Sequence, residues 1–184
     1  MNKPVYQKYF VVGLLVLFPA VFTGCSGNAA ANKQRSYENR LQKLEDREEI
    51  RQLLMDYGRF LDLRDFASFS QLFAEKEGEW NGGMGTAKGS QAVRKLMEDT
   101  VGKAADNPGP PNYHLFTNEN INVNNHQANA TTKWIFVTQG DKGGPQLVYL
   151  GHYEDTLVRE NGRWKFLKRN VHSDIPSDKD LSKP

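Results

Sequence analysis

The chain divides at a proline-rich segment, VGKAADNPGPPN (residues 101–112), because proline and glycine cannot continue a helix across it. Before this segment, apolar residues recur at spacings of three and four, which is the period of an amphipathic helix. After it, four runs rich in aromatic and β-branched residues alternate with short polar turns, a pattern typical of antiparallel strands. The order predicts an α+β fold in which three N-terminal helices pack on one face of an antiparallel sheet.

The helical half carries its own boundary signals. The first helix is predicted from Tyr37 onward, and Asp62 falls where its apolar face runs out. Asp65 and Ser90 are predicted N-caps of a second and a third helix, since short polar side chains accept hydrogen bonds from the free N–H groups at a helix start. A further short strand is predicted in GEWNGG (residues 78–83). The apolar face of the first helix consists of Ile50, Leu53, Leu54, Tyr57 and Leu61.

The first 25 residues have the pattern of a bacterial lipoprotein signal. Lys3 and Lys8 precede the apolar run 10–22, which is shorter than the about 20 residues that a transmembrane helix needs, and small residues then lead to Cys25. A plain signal peptide or an uncleaved anchor is the alternative. We therefore expect the following organisation: a signal peptide at 1–24, a lipidated tether at 25–36, one domain at 37–176 and a C-terminal tail at 177–184.

The residues around the predicted cleavage site also predict a location. Lipidation would use up Cys25, the single cysteine, so no thiol would remain for a disulfide, a metal or a nucleophile. Ser26 follows it rather than aspartate, which is the usual pattern for export to the outer membrane. The expected location is the cell envelope, at the periplasmic face of the outer membrane, with membrane contact through the N-terminal lipid only.

The charge balance argues against a nucleic-acid partner. The sequence has 24 Lys and Arg against 22 Asp and Glu, and two of the lysines, Lys3 and Lys8, belong to the predicted signal. The remaining chain therefore has no net positive charge, and it offers no electrostatic basis for binding nucleic acid.

Three segments taken in order carry a family resemblance: DREEIRQLLMDYGRFLDLRDFASFSQLF, then YHLFTN, then GHYEDTLVRENGRWKFLKR. Over residues 46–174 the chain resembles the SnoaL-like branch of the nuclear transport factor 2-like superfamily. The resemblance implies a strongly curved sheet wrapped against helices, which forms a cone with a pocket at its open end. It also implies a homodimer through the outer face of the sheet. The superfamily includes ketosteroid isomerase and scytalone dehydratase, alongside members that only bind a ligand.

The same resemblance implies three catalytic residues. Dehydratase-like relatives place an acidic residue five positions after a tyrosine on the first helix, as in Tyr57 and Asp62, and pair it with a strand histidine that matches His114. An Asp–His pair suits acid–base chemistry because the carboxylate orients an imidazole that can take up a proton and return it. Tyr57 is the candidate donor to a substrate carbonyl or enolate. From the residues alone, other roles stay open: a solvated helix-end carboxylate, a structural histidine and a core tyrosine.

Two further residues are candidate substrate contacts. Trp80 corresponds roughly to an aromatic position near the pocket of relatives, whereas the alternation along its strand does not decide whether His152 lines the pocket or the dimer face. His126 is expected in an exposed turn, and His172 just after the last strand. The sequence has no Cys/His spacing typical of a metal site, and we expect neither a metal nor an organic cofactor.

The leading hypothesis is cofactor-independent dehydratase or isomerase chemistry on a small hydrophobic, oxygenated molecule bound in the cone. The alternative is a non-catalytic, lipid-anchored module for ligand binding or assembly, because one fold hosts many functions. The glycine and prolines of residues 102–112 would allow that loop to act as a lid.

Overall fold

The computed structural model describes residues 26–102 and 109–176. The predicted signal peptide, Cys25, the centre of the candidate lid and the C-terminal tail lie outside these residues. The helices are α1 (Ser26–Asp62), α2 (Phe66–Ser70) and α3 (Ser90–Thr100). The strands are β1 (Glu79–Gly82), β2 (Gly85–Lys88), β3 (Asn112–Asn124), β4 (Gln127–Gln139), β5 (Pro145–Glu160) and β6 (Arg163–Ile175).

The six strands form one curved sheet in the order β2-β1-β6-β5-β4-β3. Consecutive strands from β3 to β6 pair antiparallel through short turns, as predicted. The sheet is nevertheless mixed, because β1 pairs with β6 in parallel, with Trp80 beside Arg169. The expectation of a purely antiparallel sheet was therefore wrong at this edge, where no hairpin constrains the direction of two strands so far apart in sequence.

Helix α1 ends at Asp62, where its apolar face was predicted to run out. Its face toward the sheet buries Ile50, Leu54 and Tyr57, each 1% exposed or less. The helix also extends back to Ser26, through the predicted tether, where alanines at positions 29–31 favour a helix. The side chains of residues 28–38 are exposed. No helix among the described residues is long and apolar enough to cross a membrane.

The two short helices differ in how they begin. Asp65 caps α2 as predicted, accepting a hydrogen bond from the Ser68 backbone at 3.0 Å. The predicted cap of α3 was wrong by one residue, because Ser90 is already helical and Gly89 precedes it without any side-chain cap. Gly89 has φ = 86°, a left-handed conformation that glycine adopts without strain. The sequence analysis also missed β2, which pairs with β1 through a tight turn.

The core lies between the helices and the concave face of the sheet. Aromatic rings make up much of this core. Those on the strands occupy inward positions, which alternate with outward ones. Tyr57 on α1 is the centre of a ring cluster and contacts Phe69, Phe73, Tyr153 and Phe166 with centroid distances of 4.8–6.5 Å. Tyr57 and Tyr153 of this cluster also line a cavity between the helices and the sheet.

Candidate active site

A cavity of about 500 Å³ opens between α1 and the concave face of the sheet. Its walls are largely apolar, with a few polar groups, which is the usual character of a site for a small organic molecule. The following residues line it: Tyr57, Leu61, Arg64, Trp80, Gly83, Met84, Val101, Asn112, His114, Trp134, Phe136, Tyr149, Tyr153, Val171 and Ser173.

Asp62 and His114 form a direct pair at the edge of this cavity. His114 Nδ1 lies 2.5 Å from Asp62 Oδ1, and the side chains of the histidine and the aspartate are 13% and 19% exposed. The carboxylate also accepts hydrogen bonds from the Asn112 side chain at 2.7 Å and from the His114 backbone N–H at 2.9 Å. Asp62 thus accepts hydrogen bonds through both of its carboxyl oxygens, one from the Asn112 NH₂ group and one from the backbone.

This contact fixes the roles of the two imidazole nitrogens. A carboxylate beside Nδ1 holds a proton there, so Nε2 is the nitrogen left for a molecule in the cavity. His114 lines the cavity, whereas Asp62 stands behind the ring and is not part of the cavity wall. The Asp62 carboxylate therefore contacts the imidazole rather than the space in which a ligand would lie.

Gly58 allows the helix to lie close enough to the sheet for this pair to form. It is buried one helical turn before Asp62, on the same face of α1. A Cβ atom at this position would lie 2.6 Å from the Phe116 ring and 3.5 Å from His114 Cβ. A larger residue would therefore require the Phe116 ring or α1 to move, beside the contact between the carboxylate and the imidazole.

Tyr57 lines the cavity as the sequence predicted, but its hydroxyl already has a partner. The Trp80 indole Nε1 donates to it at 2.9 Å, and the phenol itself is 1% exposed. Burial raises the pKa of the Tyr57 phenol, although the nearby charge of Arg169 opposes this shift. The phenol therefore stays protonated, and its own O–H remains a donor.

A buried ion pair lies behind the aromatic floor of the cavity. Arg169 and Asp155 are 1% and 0% exposed at their side chains, and two hydrogen bonds of 2.7 and 2.6 Å join them. The guanidinium stacks on Tyr57 and Tyr153 at 4.0 and 4.1 Å from the ring centroids. Burial works to lower the pKa of Arg169, but the facing carboxylate outweighs it and raises that pKa. The pair therefore places a guanidinium, balanced by the Asp155 carboxylate, against two cavity-lining phenols.

Trp134 is a cavity-lining residue that sequence reasoning did not single out. Its indole Nε1 is buried and, among the residues that the structure describes, has no hydrogen-bond partner. Because this atom is inaccessible even to water, the ring lines the cavity with its apolar part. The ring fits because Gly151 faces it across the β4–β5 pair, where a Cβ atom would lie 2.4 Å from the indole.

The remaining candidate residues do not all lie at the cavity. Trp80 lines the cavity, as predicted, with its indole N–H already bonded to Tyr57. His152 does not line the cavity: it alternates with Tyr153, which does, and so projects from the opposite face of the sheet. His126 is in an exposed turn as expected. Sequence reasoning missed Arg64 at the cavity edge, which follows α1 with φ = 53°.

Comparison with known proteins agrees with this architecture. The model of the SnoaL-like domain matches residues 42–170. Among curated proteins, no sequence matches the chain. An NTF2-like protein with a cystatin-like fold from Novosphingobium aromaticivorans is a similar solved structure, with 25% identity and a TM-score of 0.69. The alignment covers 80% of this chain and 96% of that one.

Two further solved structures share the fold. One is described as a putative scytalone dehydratase from Novosphingobium aromaticivorans, with 24% identity, a TM-score of 0.59, and coverage of 71% of this chain and 85% of that one. The other is LinA, with 23% identity, a TM-score of 0.62, and coverage of 73% and 89%. Together these matches confirm the predicted family and the curved α+β fold.

Proposed function

Because the chain belongs to the SnoaL-like domain family and pairs Asp62 with His114 beside a cavity, we propose that it is a cofactor-independent lyase or isomerase. The observation that carries this proposal is the 2.5 Å contact between Asp62 Oδ1 and His114 Nδ1. It supports a role for His114 as the general base and for Asp62 as the residue that orients it.

The proposed substrate is a small hydrophobic molecule that carries a carbonyl group. A cavity of about 500 Å³ lies within the range of roughly 300–1,000 Å³ that small-molecule sites occupy. The neutral Tyr57 phenol, which lines the cavity, offers a donor to a substrate oxygen. Donors aimed at an oxygen that gains negative charge stabilise an enolate without a metal.

The chemical step is a proton transfer followed by loss of water. His114 Nε2 takes the proton next to the carbonyl, and the electrons of that C–H bond form an enolate. Collapse of the enolate restores the carbonyl and forms the new C=C bond as the C–O bond at the next carbon breaks. The departing hydroxyl receives the proton from His114 and leaves as water. The products are an unsaturated ketone and water, so the step needs no oxidant or reductant. In an isomerase, the same proton would return to a different carbon.

A panel of mono- and bicyclic β-hydroxy ketones tests this chemistry. Their dehydration products absorb in the ultraviolet, and exchange of the α-proton in deuterated water reports proton abstraction even where no water is lost. His114→Ala should lower the rate by about 10²–10⁴-fold, the usual contribution of a general base, while ligand binding followed by tryptophan fluorescence persists. If panel members bind to the wild-type cavity but exchange no proton, the acid–base proposal fails and a binding module is the correct function.

We also propose the envelope location and the homodimer predicted from the sequence. Replacing Cys25 by Ala should abolish incorporation of labelled fatty acid and release the protein from membranes. Retention of the label in that variant would contradict lipidation at Cys25.

A further inference from the structure

The two histidines His152 and His172 meet on the outer face of the sheet, away from the cavity. They are register partners on β5 and β6, and their rings stack with centroids 4.6 Å apart and planes 16° apart. Their neighbours Tyr153 and Val171 line the cavity, so the alternation of the strands places both imidazoles on the other side. In the single chain each histidine side chain is 37% exposed, while the Nε2 atom of His172 is itself buried, so that ring must turn to admit an ion. The cluster lies on the same sheet face that the proposed homodimer would use.

Two carboxylates complete this cluster. Asp174 contacts His152 Nδ1 through both oxygens, at 2.9 and 3.0 Å. Glu154 Oε2 lies 3.4 Å from His172 Nε2. One ligand atom each from His152, Glu154 and His172 can be chosen so that all three lie within 4.8 Å of one another.

We propose that His152, His172 and Glu154 bind a divalent transition-metal ion, with Asp174 as the residue that orients His152. Two imidazoles and one carboxylate form a ligand set that suits zinc and its neighbours in the first transition row. At metal–ligand distances of about 2.0–2.1 Å, the ligand atoms of a tetrahedral site lie about 3.3 Å apart. The contact between His172 and Glu154 already has nearly this length.

The contact with Asp174 has the form expected around a metal-binding histidine. Such a histidine usually donates its other ring N–H to a carboxylate, which fixes the tautomer and leaves the remaining nitrogen for the ion. Here Nδ1 of His152 faces Asp174, so Nε2 is the nitrogen for the metal. The two rings stack with nearly parallel planes, so they must turn about their side-chain bonds for both to meet one ion.

The charges around the cluster favour a cation. Glu154 and Asp174 bring two negative charges, and Lys133, which faces His152 from β4, brings one positive charge. The balance near the imidazoles is therefore negative. Replacing Lys133 by Gln should tighten metal binding.

The test is a titration of the metal-free, full-length protein in detergent with Zn²⁺ by calorimetry and with Co²⁺ by visible absorption. We expect one ion per chain and the intense Co²⁺ bands of a site with fewer than six ligands. Asp174→Asn should weaken binding by about 10–100-fold, as loss of an orienting partner does. His152→Ala and His172→Ala should weaken it further.

The chain supplies matched controls. His126→Ala removes an exposed turn histidine, and His114→Ala removes the histidine of the candidate active site, so both should bind the metal like the wild type. Zn²⁺ should raise the unfolding temperature of the wild type and of these controls but not of His172→Ala. A wild type that binds neither ion, or equal affinity in His152→Ala and His126→Ala, would overturn the proposal.

Discussion

Replacing Asp62 by Asn is the most informative perturbation of the candidate active site, because it keeps the shape of the side chain and removes only its charge and one acceptor. Three donors converge on the carboxylate at 2.5–2.9 Å: the His114 ring, the His114 backbone and the Asn112 side chain. An asparagine has one oxygen and one NH₂ group. Whichever way it is turned, its NH₂ group faces at least one donor.

The magnitude follows from the two possible orientations. If the NH₂ group faces the His114 backbone N–H, a partly buried donor loses its partner, at a cost of about 1–3 kcal/mol. If it faces the imidazole, His114 must accept a hydrogen bond at Nδ1, and its proton moves to Nε2. That tautomer cannot act as a base toward the cavity, so any activity should fall by about 10²–10⁴-fold.

Two measurements distinguish these outcomes without knowledge of the substrate. Thermal unfolding reports the loss of stability, and in a chain of this size 1 kcal/mol corresponds to roughly 2–4 °C. Nitrogen chemical shifts of the His114 ring report its tautomer. Asp56→Asn is the matched control, because it removes a carboxylate whose arginine partner on the same helix is exposed. Such a surface ion pair contributes only about 0–1 kcal/mol to stability. If Asp62→Asn changes neither the unfolding temperature nor the tautomer beyond this control, the pairing argument is refuted.

Three further perturbations test the architecture around the site. Gly58→Ala should cost about 1–3 kcal/mol of stability and weaken ligand binding, because the added methyl group has no room. In the control Gly144→Ala the new methyl group meets no heavy atom within 4 Å, so stability should change by less than about 0.5 kcal/mol. Equal effects of the two variants in unfolding experiments would contradict this. Asp155→Asn should cost about 3–5 kcal/mol by denaturant unfolding, since it leaves a buried guanidinium charge uncompensated; a loss below 1 kcal/mol would show that the charge is otherwise balanced. Burial raises the pKa of Tyr57 and Tyr153 above the ordinary value of 10.0. Above pH 10.0 the unfolded state therefore releases these two protons while the folded state keeps them. The free energy of unfolding should fall as the pH rises beyond that value. The tyrosinate absorbance of Tyr57 and Tyr153, taken as the difference from variants with phenylalanine at these positions, should therefore rise with unfolding rather than before it. Titration of both in the folded state would contradict this.

The fold could be predicted from the sequence because its signals are local and repeated. Periodicity located α1, and turn residues bounded β3 to β6 closely, since each pairs with its neighbour along the chain. The pairing of β1 with β6 could not be predicted, because it joins Glu79 to Lys168 without any hairpin between them.

The candidate site was predictable only in part. The family resemblance identified Asp62 and His114, and the structure brings them together. The roles of Gly58 and Trp134 depend on contacts across the sheet, which leave no trace in the spacing of one sequence. His172 was expected after the last strand, but β6 continues to Ile175, and only this extension places it opposite His152.

The order of strands has a consequence for how the chain acquires its structure. Among the strands that the structure describes, β6 comes last in the chain, yet it lies in the interior of the sheet and alone connects β1 and β2 to the others. Its Phe166 also packs against Tyr57 and Phe73 from the helical half. Until this strand emerges, the helices lack part of the surface that they cover, although β3 already offers them Phe116 and His114. We therefore expect folding to complete only after β6 has been synthesised, and a truncation before β6 should leave the N-terminal helices more open to proteolysis.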